Sequence, residues 1–215
     1  IDRSRGLGDV YKRQGYLYRD KKIVNWDPEA KTTLSNEEVI YKEKTAKLFY
    51  LKYKLESSEE FILVATTRPE TIFGDTAVAV NPNDKRYKKL VGKNLIVPLV
   101  NRVVPIVGDK SVDSEFGTGC LKVTPAHSEK DFEIGIRNNL DIIDIFNDDA
   151  SLNDYGMHYK SLDRFSVRKK IINELDEKGL LDRAEDYTHN IALSERTSCV
   201  VEPKLSTQWF VRMKK

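Results

Sequence analysis

The sequence predicts a mixed α+β fold whose main body is a closed or partly closed β-barrel with helices at its periphery. Short strands at residues 95–99 and 103–107 are punctuated by proline and glycine, and one brief helix at residues 81–90 precedes them. A nearly continuous apolar run at residues 61–66 is typical of a strand that is covered on both faces. Residues 161–178 carry apolar side chains at helical spacing and form the clearest helix in the chain. Short strands at this spacing favour a barrel over a sheet built from βαβ units.

The amino-terminal part of the chain predicts a series of strands. Residues 15–28 form an extended segment that a charged turn at residues 19–22 interrupts. Residues 46–55 alternate apolar side chains with lysines, which predicts a strand paired with residues 61–66 through the polar turn between them. Residues 35–38 fit either a capping box at a helix start or a short turn into the next strand.

The carboxy-terminal part predicts helices and extended segments. Ser128 is placed to cap a helix that runs to about residue 140, and residues 141–146 follow as an apolar strand. Residues 191–203 are predicted to be extended, and residues 205–213 carry the second tryptophan, Trp209. The helix at residues 161–178 is interpreted as packing rather than as part of a site.

The composition is ordinary for a globular protein and excludes several classes. The 215 residues are enough for one large domain, or for one domain with appendages. No run of about 18 apolar residues occurs, so no membrane span is expected. Cys120 and Cys199 form neither a disulfide framework nor a CxxC motif, which fits a reducing cytosol. We therefore expect a cytoplasmic protein with no membrane partner.

Residues 1–14 stand apart from the rest as a basic leader. The chain holds 36 basic and 34 acidic residues, and removing the leader's four basic and two acidic side chains leaves 32 of each. Any contact with a nucleic acid must therefore come from the local placement of charge rather than from a globally basic surface. We interpret the leader as a non-native or disordered extension, with a flexible native tail as the alternative.

A first group of polar side chains lies between two predicted strands, residues 61–66 and 76–80. The connection contains Thr67, Arg68 and Thr71, together with Glu70 and Asp75. So many hydrogen-bonding groups held between two rigid strands predict a small polar ligand. The alternative is a surface turn whose threonine side chains satisfy their own backbone.

A second group follows Gly117 and Gly119, which permit a left-handed turn or a close backbone approach. These glycines do not form a phosphate loop, because neither GK[ST] nor GxGxxG spacing follows them. Lys122 and Thr124 are two residues apart on a predicted strand and therefore point to the same face. The alternative interpretation of Lys122 is a solvated surface lysine without a role in a site.

The residues that follow Thr124 have structural explanations of their own. Asp131 lies three residues after Ser128 and completes an S-x-x-D capping box at the helix start. His127 fits a structural hydrogen bond near that start, and because the sequence offers no further ligands nearby, no metal site is expected.

Several segments of the chain together resemble the editing (connective-peptide) domain of class I aminoacyl-tRNA synthetases. The matching segments are residues 24–28 (VNWDP), 64–80 (containing ATTRPET), 115–119, 123–127 (VTPAH), 131–135, 162–165, and 202–210 (EPKLS-x-QWF). They occur in the family's order and cover nearly everything from Gly15 to the end. The WDP and EPKLS-x-QWF segments favour the valyl branch of the family.

The resemblance implies a division of the chain. Residues 34–204 would be the editing domain, and residues 15–33 and 205–215 would be the cut edges of the parent nucleotide-binding domain. Neither an HIGH-type nor a KMSKS-type segment occurs. This chain is therefore expected to use no cofactor and to form no aminoacyl adenylate, whereas its parent enzyme would use ATP and Mg²⁺.

Two positions depart from the family pattern. Relatives often carry a Cys-x-x-Cys zinc knuckle where this sequence has Ser194 and Thr197, so no metal is expected. Ser128 stands where relatives usually have aspartate; serine preserves the helix cap but loses a substrate contact from that carboxylate.

The resemblance implies hydrolysis of the ester in a misacylated tRNA, namely threonine on the tRNA for valine. The partners would be the 3′ acceptor end of that tRNA and the threonine moiety. Asp131, Lys122 and Arg68 are the expected catalytic residues, with Asp131 at the substrate's ammonium or hydroxyl and the two cations at the carbonyl or the terminal nucleotide. The expected substrate-binding residues are Thr67, Thr71, Phe116, Thr124 and His127.

A positioned water is expected to attack the ester without a covalent intermediate, because no Ser-His-Asp or Cys-His arrangement is evident. His127 remains a possible base. The alternatives are a non-catalytic module that binds the tRNA acceptor end, and a structural barrel insert without a site.

Overall fold

A computed structural model describes residues 11–212 of the chain. Within this range the polypeptide forms a three-stranded sheet, a seven-stranded sheet and two longer α-helices. The strands are β1 (Leu17–Asp27), β2 (Thr32–Leu34), β3 (Val39–Leu55), β4 (Phe61–Thr66), β5 (Ala77–Val80), β6 (Asn94–Ile96), β7 (Val103–Gly108), β8 (Cys120–Val123), β9 (Leu181–Ser194) and β10 (Glu202–Val211). The helices are α1 (Glu129–Arg137) and α2 (Arg164–Glu177), and 3₁₀ helices span Asn36–Glu38, Pro69–Gly74, Lys88–Leu90 and Asp154–Tyr159.

The long strand β3 is the spine of the larger sheet. Its first thirteen residues run antiparallel to β9, and its last part pairs with β4 on one side and with β6 on the other. From β6 the sheet continues through β7, β5 and β8, with β5 and β7 parallel. The pairing of residues 46–55 with residues 61–66 that the sequence predicts is therefore confirmed.

The larger sheet curls so that its end strands, β4 and β8, face each other. They pack together without a backbone ladder, and the Thr118 hydroxyl donates a 2.6 Å hydrogen bond to the Leu63 carbonyl across the gap. The result is a partly closed barrel with few helices. The predicted α+β, barrel-like fold class is confirmed.

Two apolar cores lie on opposite faces of β5, which explains its uninterrupted apolar sequence. Val78 and Val80 join the larger core, which also contains Phe73 and the inner face of α2. Ala77 and Ala79 face the smaller core against Ile134 of α1. Because β5 is covered on both sides, its two ends are fixed, and the polar connection before it is held in place.

The two ends of the described chain meet in the smaller sheet. Strand β1 pairs antiparallel with β10 along its whole length, from Leu17 opposite Val211 to Trp26 opposite Glu202. This ribbon contacts the barrel region where the Trp26 indole donates a 2.7 Å hydrogen bond to the Asp148 carbonyl.

The predicted domain limits, 1–14, 15–33, 34–204 and 205–215, stay predictions. Residues 1–10 of the leader lie outside the described residues. Residues 11–13 are helical, and the Lys12 ammonium lies 5.2 Å from the centre of the Trp209 ring.

Four sequence-based expectations for secondary structure were wrong. Residues 19–22 do not turn, because each of them is paired with a residue of β10. Residues 141–146 form no strand; their backbone is irregular apart from one bridge between Phe146 and Leu152. Strand β9 begins at Leu181, ten residues before the predicted extended segment, because its alternation of exposed charged and half-buried residues contains few apolar side chains. Only Lys88–Leu90 of the predicted helix at residues 81–90 is helical, as a 3₁₀ turn.

In the part of the chain that the structure describes, no helix is long and apolar enough to cross a membrane.

Candidate functional site

An open cavity of about 600 Å³ lies at the gap between β4 and β8, beside the start of α1. All eight site residues that the sequence analysis singles out line this one cavity: Thr67, Arg68, Thr71, Phe116, Lys122, Thr124, His127 and Asp131. They come from the Pro69–Gly74 connection, the loop before β8, β8 itself and the turn into α1. Their chemical roles stay predictions, because their positions alone do not test a reaction.

The floor of the cavity is a buried network centred on Asp75. Its carboxylate accepts hydrogen bonds from the Tyr53 hydroxyl at 2.7 Å, the Lys122 ammonium at 2.8 Å and the Thr124 hydroxyl at 2.6 Å. Asp75 and Tyr53 are fully buried and Lys122 is 6% exposed. A buried carboxylate with three donors, one of them a cation, is compensated, so this network can persist away from water.

The Lys122 ammonium has no free donor left for a ligand. Its three hydrogens are matched by Asp75, by the Thr71 hydroxyl at 2.7 Å and by the Thr124 hydroxyl at 2.6 Å. Lys122 is therefore not a solvated surface lysine. It contributes positive charge to the floor and holds the two threonines in fixed orientations.

Arg68 forms the side of the cavity and is held by a second network. Its guanidinium donates to both oxygens of Glu202, at 2.6 and 2.7 Å, to Glu70 at 3.3 Å and to the His127 carbonyl at 3.2 Å. Burial lowers the pKa of Arg68, but the charges of Glu202 and Glu70 outweigh burial and raise it, so the group stays cationic. Of the five guanidinium hydrogens, one on the nitrogen that contacts His127 remains for a ligand.

The carboxylates that hold Arg68 also hold α2. Glu202 accepts a hydrogen bond from Arg164, and Glu70 accepts two from Arg168, at 2.6 and 2.8 Å. Glu70 is fully buried and Glu202 is 2% exposed. The alternative that the Pro69–Gly74 connection is a surface turn is therefore wrong, since the entire 3₁₀ helix is buried.

Asp131 has one carboxylate oxygen available. The other oxygen accepts the backbone N–H of Thr124 at 2.9 Å, and the Ser128 hydroxyl caps the helix by accepting the Asp131 N–H. Among the described residues the only other donor near this carboxylate is the Ser128 hydroxyl, and the Asp131 side chain lines the cavity. The reciprocal half of the predicted capping box is thus absent, because the Asp131 side chain bonds to β8 instead of to the helix start.

The environment of Asp131 favours its neutral form. Burial raises the pKa of this carboxyl above its ordinary value, and the Thr124 N–H and the charge of Lys122 offset only part of that increase. A carboxylate whose negative charge is incompletely compensated gains more than a solvated one from a cationic ligand.

His127 lies against the core rather than toward a ligand. Its ring is 2% exposed, and Nε2 accepts a 3.0 Å hydrogen bond from the Ile145 backbone N–H. The proton of the neutral ring therefore lies on Nδ1, which is 3.7 Å from a Glu202 oxygen. Burial, followed by the charges of Arg68 and Lys122, lowers the pKa of His127 well below its usual range. With its lone pair occupied, His127 cannot serve as the base in this geometry.

An aromatic row forms the wall opposite Arg68. Phe116 is 46% exposed and meets the Tyr187 ring edge-on at 5.8 Å. The Tyr187 ring in turn stacks on His189 at 5.5 Å. The turn that presents Phe116 requires glycine, since Gly117 has φ of 58° and a Cβ there would lie 2.8 Å from the Ala65 Cβ.

Sequence reasoning missed six residues that build this site: Tyr53, Glu70, Asp75, Tyr187, His189 and Glu202. Glu70 and Asp75 stood in the first polar group, but their spacing did not show which cations they meet. Tyr187 and His189 are two residues apart and share a face of β9, a strand that the pattern did not reveal. Glu202 lies in the EPKLS segment, where its charge alone gave no sign of burial.

The two positions that depart from the zinc-knuckle pattern form a hydrogen-bond cluster around Asp27. This carboxylate accepts from the Ser194 hydroxyl at 2.6 Å, the Thr197 hydroxyl at 2.8 Å and the Cys199 thiol at 3.2 Å. Both hydroxyls act here as donors to a protein carboxylate.

Comparisons with known proteins relate the whole described chain to one family. The family model for class I tRNA synthetases (I, L, M and V) matches residues 5–215, beginning within the segment that the sequence analysis sets apart as a leader. The chain is 57% identical over 206 residues to a valine–tRNA ligase of Christiangramia forsetii. The aligned region covers 96% of this chain and 23% of that relative. A valine–tRNA ligase of Thermotoga maritima is 56% identical over 202 residues, 94% of this chain and 23% of the relative.

A solved structure shares the fold at low identity. It is the ternary complex of the Agrobacterium radiobacter K84 agnB2 LeuRS with tRNA and LeuAMS, with a TM-score of 0.53 and 19% identity over 86% of this chain and 31% of that one. The chain spans about a quarter of the length of the curated relatives that it matches. On the extent of the family match and the identity to these relatives, the chain belongs to the class I tRNA synthetases, in the group of the isoleucine, leucine, methionine and valine enzymes.

Proposed function

We propose that this cavity hydrolyses the ester bond of a misacylated tRNA, with threonine on the tRNA for valine as the substrate. The observation that carries the proposal is the convergence of the eight predicted residues on one open cavity with a charged, buried floor. Such a cavity suits a small polar group that is attached to a larger solvent-exposed molecule. The similarity to valine–tRNA ligases supports the choice of tRNA and of amino acid.

A separate hydrolytic pocket is needed because the pocket that selects the amino acid during aminoacyl-tRNA synthesis has limited selectivity. A hydrophobic pocket cannot strongly reject an isostere that merely adds a hydroxyl, and valine against threonine is the standard example of this limit. A polar cavity reverses the preference. Valine there would leave buried polar groups unpaired, at a cost of about 1–3 kcal/mol for each group.

The groups with spare hydrogen-bonding capacity define the proposed substrate contacts. The free oxygen of Asp131 binds the threonine ammonium, and the remaining hydrogen of Arg68 binds the ester carbonyl or the terminal ribose. Thr67 is half-buried at the rim, and its hydroxyl makes no hydrogen bond within residues 11–212, so it is available for the substrate hydroxyl. Thr71, Thr124 and Lys122 act through the floor network, because their own donors are occupied. Phe116 is the wall for the terminal base.

Water is the proposed nucleophile, and no covalent intermediate forms. The Ser128 hydroxyl is the helix cap, and His127 cannot activate it because Nε2 already accepts from Ile145. Cys120 lies outside this cavity, and burial raises the pKa of its thiol to about 11, so it is not a thiolate near neutral pH.

The test is a direct assay of the 215-residue chain on threonyl- and valyl-tRNA for valine, with release of the amino acid as the readout. The expected result is turnover of the threonyl ester and much slower turnover of the valyl ester. Binding of tRNA with no release of either amino acid would instead support a non-catalytic acceptor-end module. Absence of both binding and release would leave only a structural insert.

A further inference from the structure

A second cavity, of about 290 Å³, opens beside the first. Thr67, Arg68, His189 and Pro203 line both cavities, so the two form one continuous track with Arg68 at the junction. The proposed function assigns the first cavity to the aminoacyl group and the terminal nucleotide. It assigns nothing to the second.

The second cavity contains a stacking surface. Phe165, at the start of α2, is 38% exposed, and the guanidinium carbons of Arg164 and Arg168 lie 4.7 and 5.4 Å from its ring centre. Both arginines are held in place by the carboxylates of Glu202 and Glu70. Both guanidinium groups lie over the ring. Proteins stack single-stranded nucleic-acid bases on exposed aromatic rings and on guanidinium planes of this kind.

The charge of the second cavity favours a phosphate. Its lining carries the basic side chains of Lys44, Arg68, Arg164 and Arg168 against the single carboxylate of Glu202. Glu70 does not line this cavity, but it pairs with Arg168 and adds a second negative charge. An excess of positive charge remains. The total formal charge of the chain is only +2, so this excess of positive charge is concentrated at the cavity and does not reflect a generally basic surface.

We propose that the second cavity binds the nucleotide that precedes the terminal one in the single-stranded 3′ end of the substrate RNA. The base stacks on Phe165, and the linking phosphate lies between Arg168 and Lys44. A volume of 290 Å³ suits one nucleotide rather than a longer segment. This inference rests on the proposed function of the first cavity.

The experiment compares two minimal substrates: adenosine that carries a threonyl ester, and a cytidylyl-adenosine dinucleotide that carries the same ester. Only the dinucleotide carries a second nucleotide that can occupy the second cavity while the threonyl-adenosine part occupies the first. In Phe165→Ala, hydrolysis of the dinucleotide substrate is expected to lose about 5- to 100-fold in kcat/KM, the range for one lost stacking contact, with the loss mainly in KM. Hydrolysis of threonyl-adenosine is expected to change far less.

Two further variants separate stacking from indirect damage. Phe165→Tyr keeps the ring and is expected to retain the preference for the dinucleotide substrate. Phe61→Ala removes an aromatic ring of similar exposure, 48%, that lines neither cavity, and is expected to behave as the unaltered chain. Equal losses of Phe165→Ala on both substrates would overturn the proposal, because Phe165 would then only support Arg164 and Arg168.

Binding without chemistry tests the same cavity if the chain hydrolyses neither ester. Chemical-shift changes in the chain are measured by NMR with cytidylyl-adenosine and with adenosine alone. Tighter binding of the dinucleotide that disappears in Phe165→Ala would uphold the second cavity while rejecting the hydrolytic function. Equal affinity for the two ligands would reject the second cavity.

Discussion

Two aspartates of the site have opposite environments, although their side chains are chemically identical. Asp75 is fully buried and accepts from three donors, including the Lys122 ammonium. Asp131 accepts the Thr124 N–H with one oxygen and lines the cavity. Three donors surround the carboxylate of the first, whereas burial penalises the charge of the second. Asp75 therefore organises the floor, and Asp131 is the group with a reason to bind a cationic ligand.

Asp131→Asn is expected to separate function from stability. Loss of a charge-assisted contact to the substrate ammonium should reduce kcat/KM for threonyl-tRNA by about 10- to 100-fold. The Asn side-chain oxygen can still accept from Thr124, and the variant no longer holds a buried charge. Its urea-unfolding midpoint should therefore not decrease. A variant that loses stability along with activity would show that Asp131 serves the fold.

The raised pKa of Asp131 also predicts a pH dependence. Since the folded-state pKa lies above the ordinary 3.8, the carboxylate gains its proton at higher pH than a solvated aspartate would. The KM for threonyl-adenosine should rise as pH falls from neutrality toward that raised pKa, within an acidic window that begins at higher pH than for a solvated aspartate. In Asp131→Asn the KM should vary much less over the same window. Parallel profiles for both proteins would contradict the assignment.

The connection between β1 and the loop after β9 depends on one carboxylate. Asp27 ends β1, and it accepts hydrogen bonds from Ser194, Thr197 and Cys199, all within or just after β9. It also accepts the backbone N–H groups of the turn that follows β1. Burial raises the pKa of Asp27, but these donors together outweigh burial and lower the pKa to about 2.

This depressed pKa predicts that the ribbon loses stability in acid. Asp27 stabilises the fold above its unfolded-state pKa of about 3.8, and the contribution disappears as pH falls through about 2. Asp27→Asn should be less stable than the unaltered chain near pH 5, and the difference should shrink by about 2 kcal/mol as pH falls to 2. Urea unfolding at both pH values measures it.

Asp20→Asn is the matched control for this prediction. Asp20 is an exposed carboxylate on the same strand, so its removal should change stability little at either pH. If Asp27→Asn and Asp20→Asn had the same pH dependence, the hydrogen bonds to Asp27 would not contribute to stability.

At the scale of the molecule, a buried ion network joins three parts that are distant in sequence. Glu202 at the start of β10 binds Arg68 beside the site and Arg164 at the start of α2. The ribbon, the barrel and the helix therefore meet at one carboxylate. Removing one member of such a network leaves buried charges without a partner, which costs far more than an exposed pair contributes.

Glu202→Ala is accordingly expected to lower the free energy of unfolding by about 3–5 kcal/mol. Asp186→Ala breaks the Lys47–Asp186 pair, whose side chains are 54% and 71% exposed, and should cost less than about 1 kcal/mol. Denaturant unfolding of both variants gives the comparison. Similar small losses would mean that the network around Glu202 is solvated in solution.

The sequence predicted the strands with clear apolar patterns and failed where pairing determined the structure. Residues 46–55 and 61–66 pair as expected, because alternation and a polar turn are local signals. Strand β9 lacks such a signal; it is a strand because β3 supplies its partner along thirteen residues. Residues 141–146 include four apolar side chains yet are irregular. Ile145 and Phe146 are buried in the larger core, but the only backbone pairing of this segment with other described residues is the bridge from Phe146 to Leu152.

Sequence by itself determined the barrel-like fold class and the family, because the family's motifs are residue types at short spacing along the chain. The resemblance to that family then implied the eight residues that meet in the first cavity. Only the tertiary structure decided which of those residues retain a free hydrogen-bonding group. Lys122 and Arg68 look alike as cations in the sequence. Asp75 and the hydroxyls of Thr71 and Thr124 occupy every donor of Lys122. Glu202, Glu70 and the His127 carbonyl leave Arg68 one donor. Their partners Asp75 and Glu202 lie 47 and 134 residues away, and folding alone brings those distances to less than 3 Å.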